Sequence, residues 1–524
     1  MKPQIINIIN FIRGVEPRDP EKDLLEPVIK QIETLKLYHL PGTFLLQYDA
    51  LIRKDMISHL KREDFEIGIW LEIVQPLAEK AGVKWKGRPG FSWDWHVNSG
   101  FTIGYTPEER EKMIDVFMCD FKKAFGFYPE AAGAWFIDAH TLQYLSSKYE
   151  IKAFCNCRDQ WGTDGYTLWG GYYGQGYYPS RYNAFIPAQN KESQINIPVF
   201  RMLGSDPIYQ YNTGLDENFN PCDWQDVKTL EPASENAGGS PDWVRWFIRE
   251  NFNGLCLSFG YAQAGQENSF GWEAMKSGIE DQFKLISEYR SAGKLQVMTL
   301  GNTGKWYQSE YCVTPASSIT ALSDWSESGN RSVWYCSRYY RINIFWGNGS
   351  LYIRDIHIFD ENCRETYLEA TCESQSCVYE TLPVIDGNRW SGNNIQAGIY
   401  PEVMQQDSST ALMGGEAKVT ELDNEKLSVV WPLKTGGSMQ IICGVKTLTF
   451  EIKNADQNLQ WSLAFKTGIH NGLPKIMSNG NSMTFLHNDF SYHVGIEEGT
   501  FRRNKEYFLN IAPQNNRIIL NFEQ

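Results

Sequence analysis

Along the first 270 residues, short apolar runs recur and each leads to a carboxylate. They lead in turn to Glu16, Asp49, Glu72, Asp138, Asp159, Asp206 and Glu267. Runs such as FEIGIWL and AAGAWFI are apolar on both faces, as strands inside a parallel sheet are. Between them the apolar spacing becomes helical over residues 20–38, 106–126, 139–149, 240–252 and 272–291. The second of these opens with Thr106-Pro107-Glu108-Glu109, a capping-box pattern with proline in the first turn, and stops near Gly126. LQVMTL at 295–300 supplies an eighth strand. The alternation predicts a seven- or eight-stranded parallel β/α barrel over residues 1–305.

From residue 306 the texture changes to short β-rich runs separated by polar turns. Asn348-Gly349, Asp386-Gly387 and Asn479-Gly480 mark hairpins. Residues 306–524 therefore read as an antiparallel β-sandwich packed against the barrel.

Composition narrows the function classes. A net charge of −14 over 524 residues argues against nucleic acid as a partner, and no run approaches the length of a membrane span. The first run, IINIINFI, contains Asn7 and Asn10 and reads as a strand, not a signal. The expected location is periplasmic or secreted after loss of a signal that this chain does not carry, with a cytoplasmic location left open. Eleven cysteines imply no disulfide framework, although Cys372 and Cys377 are spaced to pair. No Cys/His spacing suggests zinc, so neither a metal nor another cofactor is expected.

If the sheet closes, its strand ends converge on one mouth, where barrels carry their chemistry. A ring of acids there is costly in hydration and mutual repulsion, and therefore points to an enzyme. Asp138 and Glu267 rank first as catalytic carboxylates, one as nucleophile or base and the other as proton donor. A helix N-cap is the bland alternative for Asp138, because a helix follows at once. Asp159, Asp164, Asp206 and Glu16 are candidates for binding sugar hydroxyls, with Gln266 and Asn268 orienting Glu267. Glu72 and Asp49 read as helix starts or ion-pair partners. Arg13, Arg18 and Arg158 offset the negative mouth. Two aromatic loops, 85–105 and 161–182, follow strand ends; their Trp93, Trp95, His96 and Trp169 are expected to wall the site beside Trp135 and His140. A self-packed surface loop is the competing reading.

The order of apolar strand, Trp135, Asp138, helix and second strand resembles the barrels of glycoside hydrolase family 57 and related carbohydrate deacetylases. The whole chain is similar to a bacterial hydrolase-like family joining such a barrel to a β domain. The resemblance covers about 300 residues and implies a nucleophile at Asp138 and an acid at Glu267, with the acid types exchanged relative to family 57. The metal-binding Asp pair and His pair of the deacetylases have no counterpart on the first strand, where Asn10-Phe11-Ile12-Arg13 stands. The reading is a carbohydrate-active hydrolase that cleaves a glycosidic bond in an oligosaccharide or polysaccharide, with retention. The alternatives are a metal-dependent esterase or deacetylase, with Asp94, His96, Asp138 and His140 as possible ligands, and a non-catalytic carbohydrate-binding protein.

Overall fold

The computed structural model describes residues 2–524 except Leu203, Glu380, 405–408, 457–458, 470–472, 479–480 and 503–508, and without the side chains of Asp164 and Ser478. Asn479-Gly480 lies outside the described residues. The parallel strands are β1 (Gln4–Ile12), β2 (Thr43–Leu46), β3 (Glu66–Trp70), β4 (Ala131–Gly133), β5 (Ala153–Asn156), β6 (Val199–Arg201), β7 (Gly260–Ala264) and β8 (Gln296–Met298). They pair in the order β8-β1-β2-β3-β4-β5-β6, and β7 also pairs with β1. This is a mostly parallel, nearly closed sheet.

The seam lies between β6 and β7, where the described strands form no ladder. Side chains bridge it: the Phe200 and Tyr261 rings stand 5.0 Å apart. The eighth strand differs from its expected place in the ring. β8 pairs only with Ile5–Asn7 at the base of β1, while Ile9–Ile12 pair with β2. Asn7, in the middle of β1, is satisfied inside the barrel. Asn7 donates to Met298 O at 2.8 Å and accepts from the Tyr261 hydroxyl at 2.9 Å.

Five helices stand where the periodicity places them: α1 (Glu26–Leu37), α2 (Pro107–Phe125), α3 (Ala139–Lys148), α4 (Pro241–Asn253) and α5 (Trp272–Ser291). The capping box of α2 forms between Thr106 and Glu109, and Gly126 closes the helix with a left-handed φ of 89°. None of the helices is long and apolar enough to cross a membrane among the described residues.

The later half builds two antiparallel sheets of ten and eight strands, whose apolar side chains meet in one core. Asn348-Gly349 makes the expected two-residue hairpin, with Gly347 opposite Ser350 and positive φ at both turn residues. Asp386-Gly387 instead starts a turn, closed by Trp390 N donating to Asp386 O at 3.1 Å.

The two halves are joined closely. Residues 363–379 leave the β half and lie across the barrel as a strap. Within it Cys377–Val378 pair with Tyr166–Thr167, and Cys372 N donates to Ile103 O at 2.7 Å. Cys372 and Cys377 are both buried free thiols, so the expected pairing does not form.

Candidate active site

The carboxyl ends of the strands surround a cavity of about 740 Å³. At its centre three charged groups from three strand ends meet. Arg13 follows β1, Glu72 follows β3 and Glu267 follows β7. Arg13 Nη2 lies 3.1 Å from Glu267 Oε2 and 3.4 Å from Glu72 Oε1. Sharing one nitrogen, the two carboxylate oxygens stand within about 6.5 Å of each other, the scale on which paired-carboxylate glycosidases work. All three residues are buried and all line the cavity.

Local structure holds this arrangement. Gly265 after β7 has φ 110°, and a Cβ there would sit 2.0 Å from Ile9 O, so the turn returning Glu267 over the mouth requires glycine. Asn268 then clamps the Arg13 backbone: its Oδ1 accepts from Arg13 N at 2.9 Å, and its Nδ2 donates to Arg13 O at 2.9 Å. The guanidinium lies 3.8 Å over the Trp93 ring. Gln47 donates to Glu72 Oε2 at 2.8 Å, and Ser269 hydroxyl donates to Glu267 Oε1.

Electrostatics act on Glu72 most clearly. Burial pushes Glu72 up to about 7; Arg13 opposes this and the neighbouring Glu267 adds to it. Burial also works against the Arg13 charge, but Glu267 and Glu72 leave its pKa raised. Glu72 is thus poised to carry a proton near neutrality, beside an ion-paired Glu267.

The structure places the expected residues in three groups. Glu267, Trp93, Trp95, His96, Trp135, Arg158 and Asp159 line the cavity. Trp135 packs on Trp70 and Phe11, with ring centres 5.2 and 5.5 Å away. Asp159 reaches the cavity edge but is engaged by Arg341 and, at 3.4 Å, by Arg201, with Gly170 N donating at 3.0 Å.

Gln266, Asn268 and Glu16 stand just behind the wall. Gln266 donates to Glu231 at 2.7 Å, Asn268 holds Arg13 and not Glu267, and Glu16 is gripped twice by Arg18.

Asp138, Asp206, His140 and Trp169 do not line the cavity. Asp138 is fully buried and caps α3, accepting from Thr141 N at 2.8 Å; Thr102 hydroxyl and Arg110 use its remaining capacity at 2.7 and 3.0 Å. The capping role therefore replaces the expected catalytic one. Asp206 accepts from the Trp243 and Trp325 indoles and from two backbone amides. His140 meets Glu111 at 3.0 Å on the outer side of α3. Trp169 donates to Asp386 of the β half at 2.7 Å. The Asp164 side chain lies outside the described residues.

The aromatic loops divide in the same way. Residues 93–101 supply cavity wall, whereas the glycine-rich loop mostly packs between the two halves, Tyr173 stacking on Trp334 at 3.6 Å. Only its first part, through Thr163, Gly165 and Tyr166, reaches the cavity. Gln375 and Ser376 of the strap complete the wall.

Among the described residues no three His, Cys, Asp or Glu side chains converge as metal ligands. Asp94 is bound by Arg88 at 3.0 Å and lies 3.1 Å from His96, so that pair is already occupied. Sequence reasoning ranked Glu72 low, because residues 73–82 read as a helix and suggested a capping or ion-pair role. The helix begins only after Val74, leaving Glu72 free to face the mouth.

Comparison with solved structures gives a likeness of fold. A candidate glycoside hydrolase/deacetylase from Parabacteroides distasonis superposes with a TM-score of 0.54, covering 72% of this chain and 88% of its own at 16% identity. A candidate polysaccharide deacetylase from Mycobacterium smegmatis covers 59% of this chain and 91% of its own, at 11% identity and a TM-score of 0.34. A GH57 branching enzyme from Thermococcus kodakaraensis covers 59% of this chain and 71% of its own, at 10% identity and a TM-score of 0.30, so the likeness to family 57 is weak. No family model and no curated protein matches the chain.

Proposed function

We propose that the chain is a carbohydrate-active hydrolase that cleaves a glycosidic bond with Glu72 and Glu267. The observation that carries this reading is the Glu72–Arg13–Glu267 cluster at the floor of an aromatic cavity. Glycoside cleavage needs one carboxyl protonated and one ionised across the scissile bond. Glu72, raised to about 7, is the proton donor to the leaving oxygen. Glu267, paired with Arg13, is the anion that attacks the anomeric carbon as the C–O bond breaks. Water then releases the sugar with Glu72 acting as base. The nearest oxygens lie within about 6.5 Å, an upper bound that admits the retaining separation of about 5–5.5 Å. Trp95 and Trp135, both partly exposed, offer apolar surface for sugar rings, while Trp93 backs Arg13. The barrel shared with a candidate glycoside hydrolase/deacetylase supports the same class of substrate.

The test is hydrolysis of a panel of aryl glycosides, with the product anomer read by NMR. The expected result is retention of configuration and loss of turnover in both Glu72→Gln and Glu267→Gln. Full turnover in either variant overturns the assignment. Release of acetate from an acetylated glycan without a new reducing end replaces it with esterase chemistry.

A further inference from the structure

Arg158 is a cavity cation with no ion pair among the described residues. Around it Arg13 pairs with Glu72 and Glu267, Arg18 with Glu16, and Asp159 with Arg201 and Arg341, while Glu231 accepts from Gln266 at 2.7 Å. Arg158 follows β5, lines the cavity and is only 5% exposed. Its Nη1 donates to Tyr173 O at 3.1 Å, and its buried Nε has no acceptor. Among the described residues no carboxylate forms an ion pair with it, although Asp159 is its neighbour in sequence. Asp159 turns to the β half instead, where Arg341 holds it.

Burial depresses the pKa of Arg158, and Arg201 acts in the same direction. A buried guanidinium without a counter-ion is costly to keep, and its planar fork suits an oxyanion. The other two cavity arginines are less suited to meet a ligand. Arg13 is committed to the two glutamates, and Arg18 is half exposed and gripped by Glu16.

We propose that the substrate is a glycan bearing an anionic group, a uronic-acid carboxylate or a sulfate ester, and that Arg158 binds that group inside the cavity. This rests on the carbohydrate reading of the site and adds which class of sugar the site selects. The anion supplies the missing partner for Arg158, while the neutral part of the sugar lies against the tryptophans.

Calorimetric titration of the full chain with glucose, glucuronate and glucose 6-sulfate tests it. At least one acidic sugar is expected to bind about tenfold or more tighter than glucose, as a charge-assisted pair allows. The tighter of the two identifies the anion. Arg158→Met should bind acidic and neutral sugars alike. Arg158→Lys should retain part of the preference, having the charge without the fork, and melting temperatures establish that each variant is folded. Equal binding of glucose and both acidic sugars overturns the proposal, as does no binding of any of them. So does an undiminished acid preference in the folded Arg158 variants. Glu267→Gln separates this claim from the hydrolase reading, because it should keep the acid preference while losing turnover. A wild-type protein that selects acidic sugars through Arg158 but cleaves no glycoside would sink the hydrolase reading alone.

Discussion

Buried arginines meet carboxylates in several places in this molecule, and the difference between two of them separates chemistry from construction. At the mouth, Arg13 joins Glu72 and Glu267 beside a cavity of about 740 Å³. Under the strap, Arg110 binds Asp138 at 3.0 Å, with Glu365 of the β half close by. Arg110 and Asp138 have no exposed surface, and each guanidinium nitrogen of Arg110 donates within the protein. Arg110 also donates to the Tyr367 and Ala370 carbonyls, and Glu365 accepts from Ala139 N and Ala184 N. The second cluster fastens two halves of the chain; the first has a space in front of it. What marks a candidate catalytic acid is therefore access, since both clusters have burial and charge.

The largest test of this contrast is activity. Glu72→Gln and Glu267→Gln are each expected to lower kcat about 10²–10⁴-fold, the range for loss of a proton-transfer group or its partner. Asp138→Asn should leave kcat of the folded enzyme unchanged, measured on the same substrate. A large loss of kcat in Asp138→Asn with wild-type stability would reverse the roles of the two clusters.

Stability should show the opposite pattern. Asp138→Ala strips Arg110 of its buried partner and α3 of its cap, and is expected to cost about 3–5 kcal/mol in denaturant unfolding. Glu267→Gln leaves Arg13 beside Glu72 and should cost less.

How much of this was legible follows from what sequence encodes directly. Strand runs and helix periodicity record local burial, and so β1–β7, α2 and α3 stand where the pattern puts them. The capping box at Thr106 is a contiguous signal and forms as read. What the runs do not record is which way the residue after a strand turns. Glu72 and Asp138 both follow apolar strands. Val74 is the N-cap residue of the next helix after Glu72, whereas Asp138 itself caps α3. The partners that decide the outcome, Arg13 and Arg110, lie 59 and 28 positions away. The strap was likewise invisible, because Glu365 and Gln375 reach the barrel from the β half only through long-range packing.

The pH dependence of stability sharpens the comparison next. Burial, with Asp138 nearby, pushes Glu365 from an ordinary 4.5 up to about 8, and burial pushes Glu72 to about 7 and Asp49 to about 6. A carboxyl raised on folding holds its proton more tightly in the native state. Its contribution is fully present below about 4.5 and is lost as pH rises through the folded value. Unfolding free energy should therefore fall by a few kcal/mol between pH 5 and 8. Glu365→Gln should flatten the part between pH 7 and 8 and lessen the slope below it, and Glu72→Gln should lessen the slope between pH 5 and 7. A stability that rises across this window in the wild type would contradict the burial of all three acids.

The smallest expected effect compares the two aromatic loops. Trp95 is partly exposed at the cavity, sandwiched near Arg88 and Arg18 at 4.3 and 5.1 Å. Trp169 is 4% exposed and donates its indole proton to Asp386 across the halves. Removing a sugar-stacking face costs about 1 kcal/mol of binding, so Trp95→Ala should raise KM about tenfold or less with kcat and melting temperature nearly unchanged. Trp169→Ala should instead lower the melting temperature and leave KM alone, because its ring is core to the junction. Steady-state kinetics and thermal melts on the two variants distinguish wall from mortar. A KM effect at Trp169 that exceeds the one at Trp95 would mean that sugars enter through the junction between the halves and not through the barrel mouth.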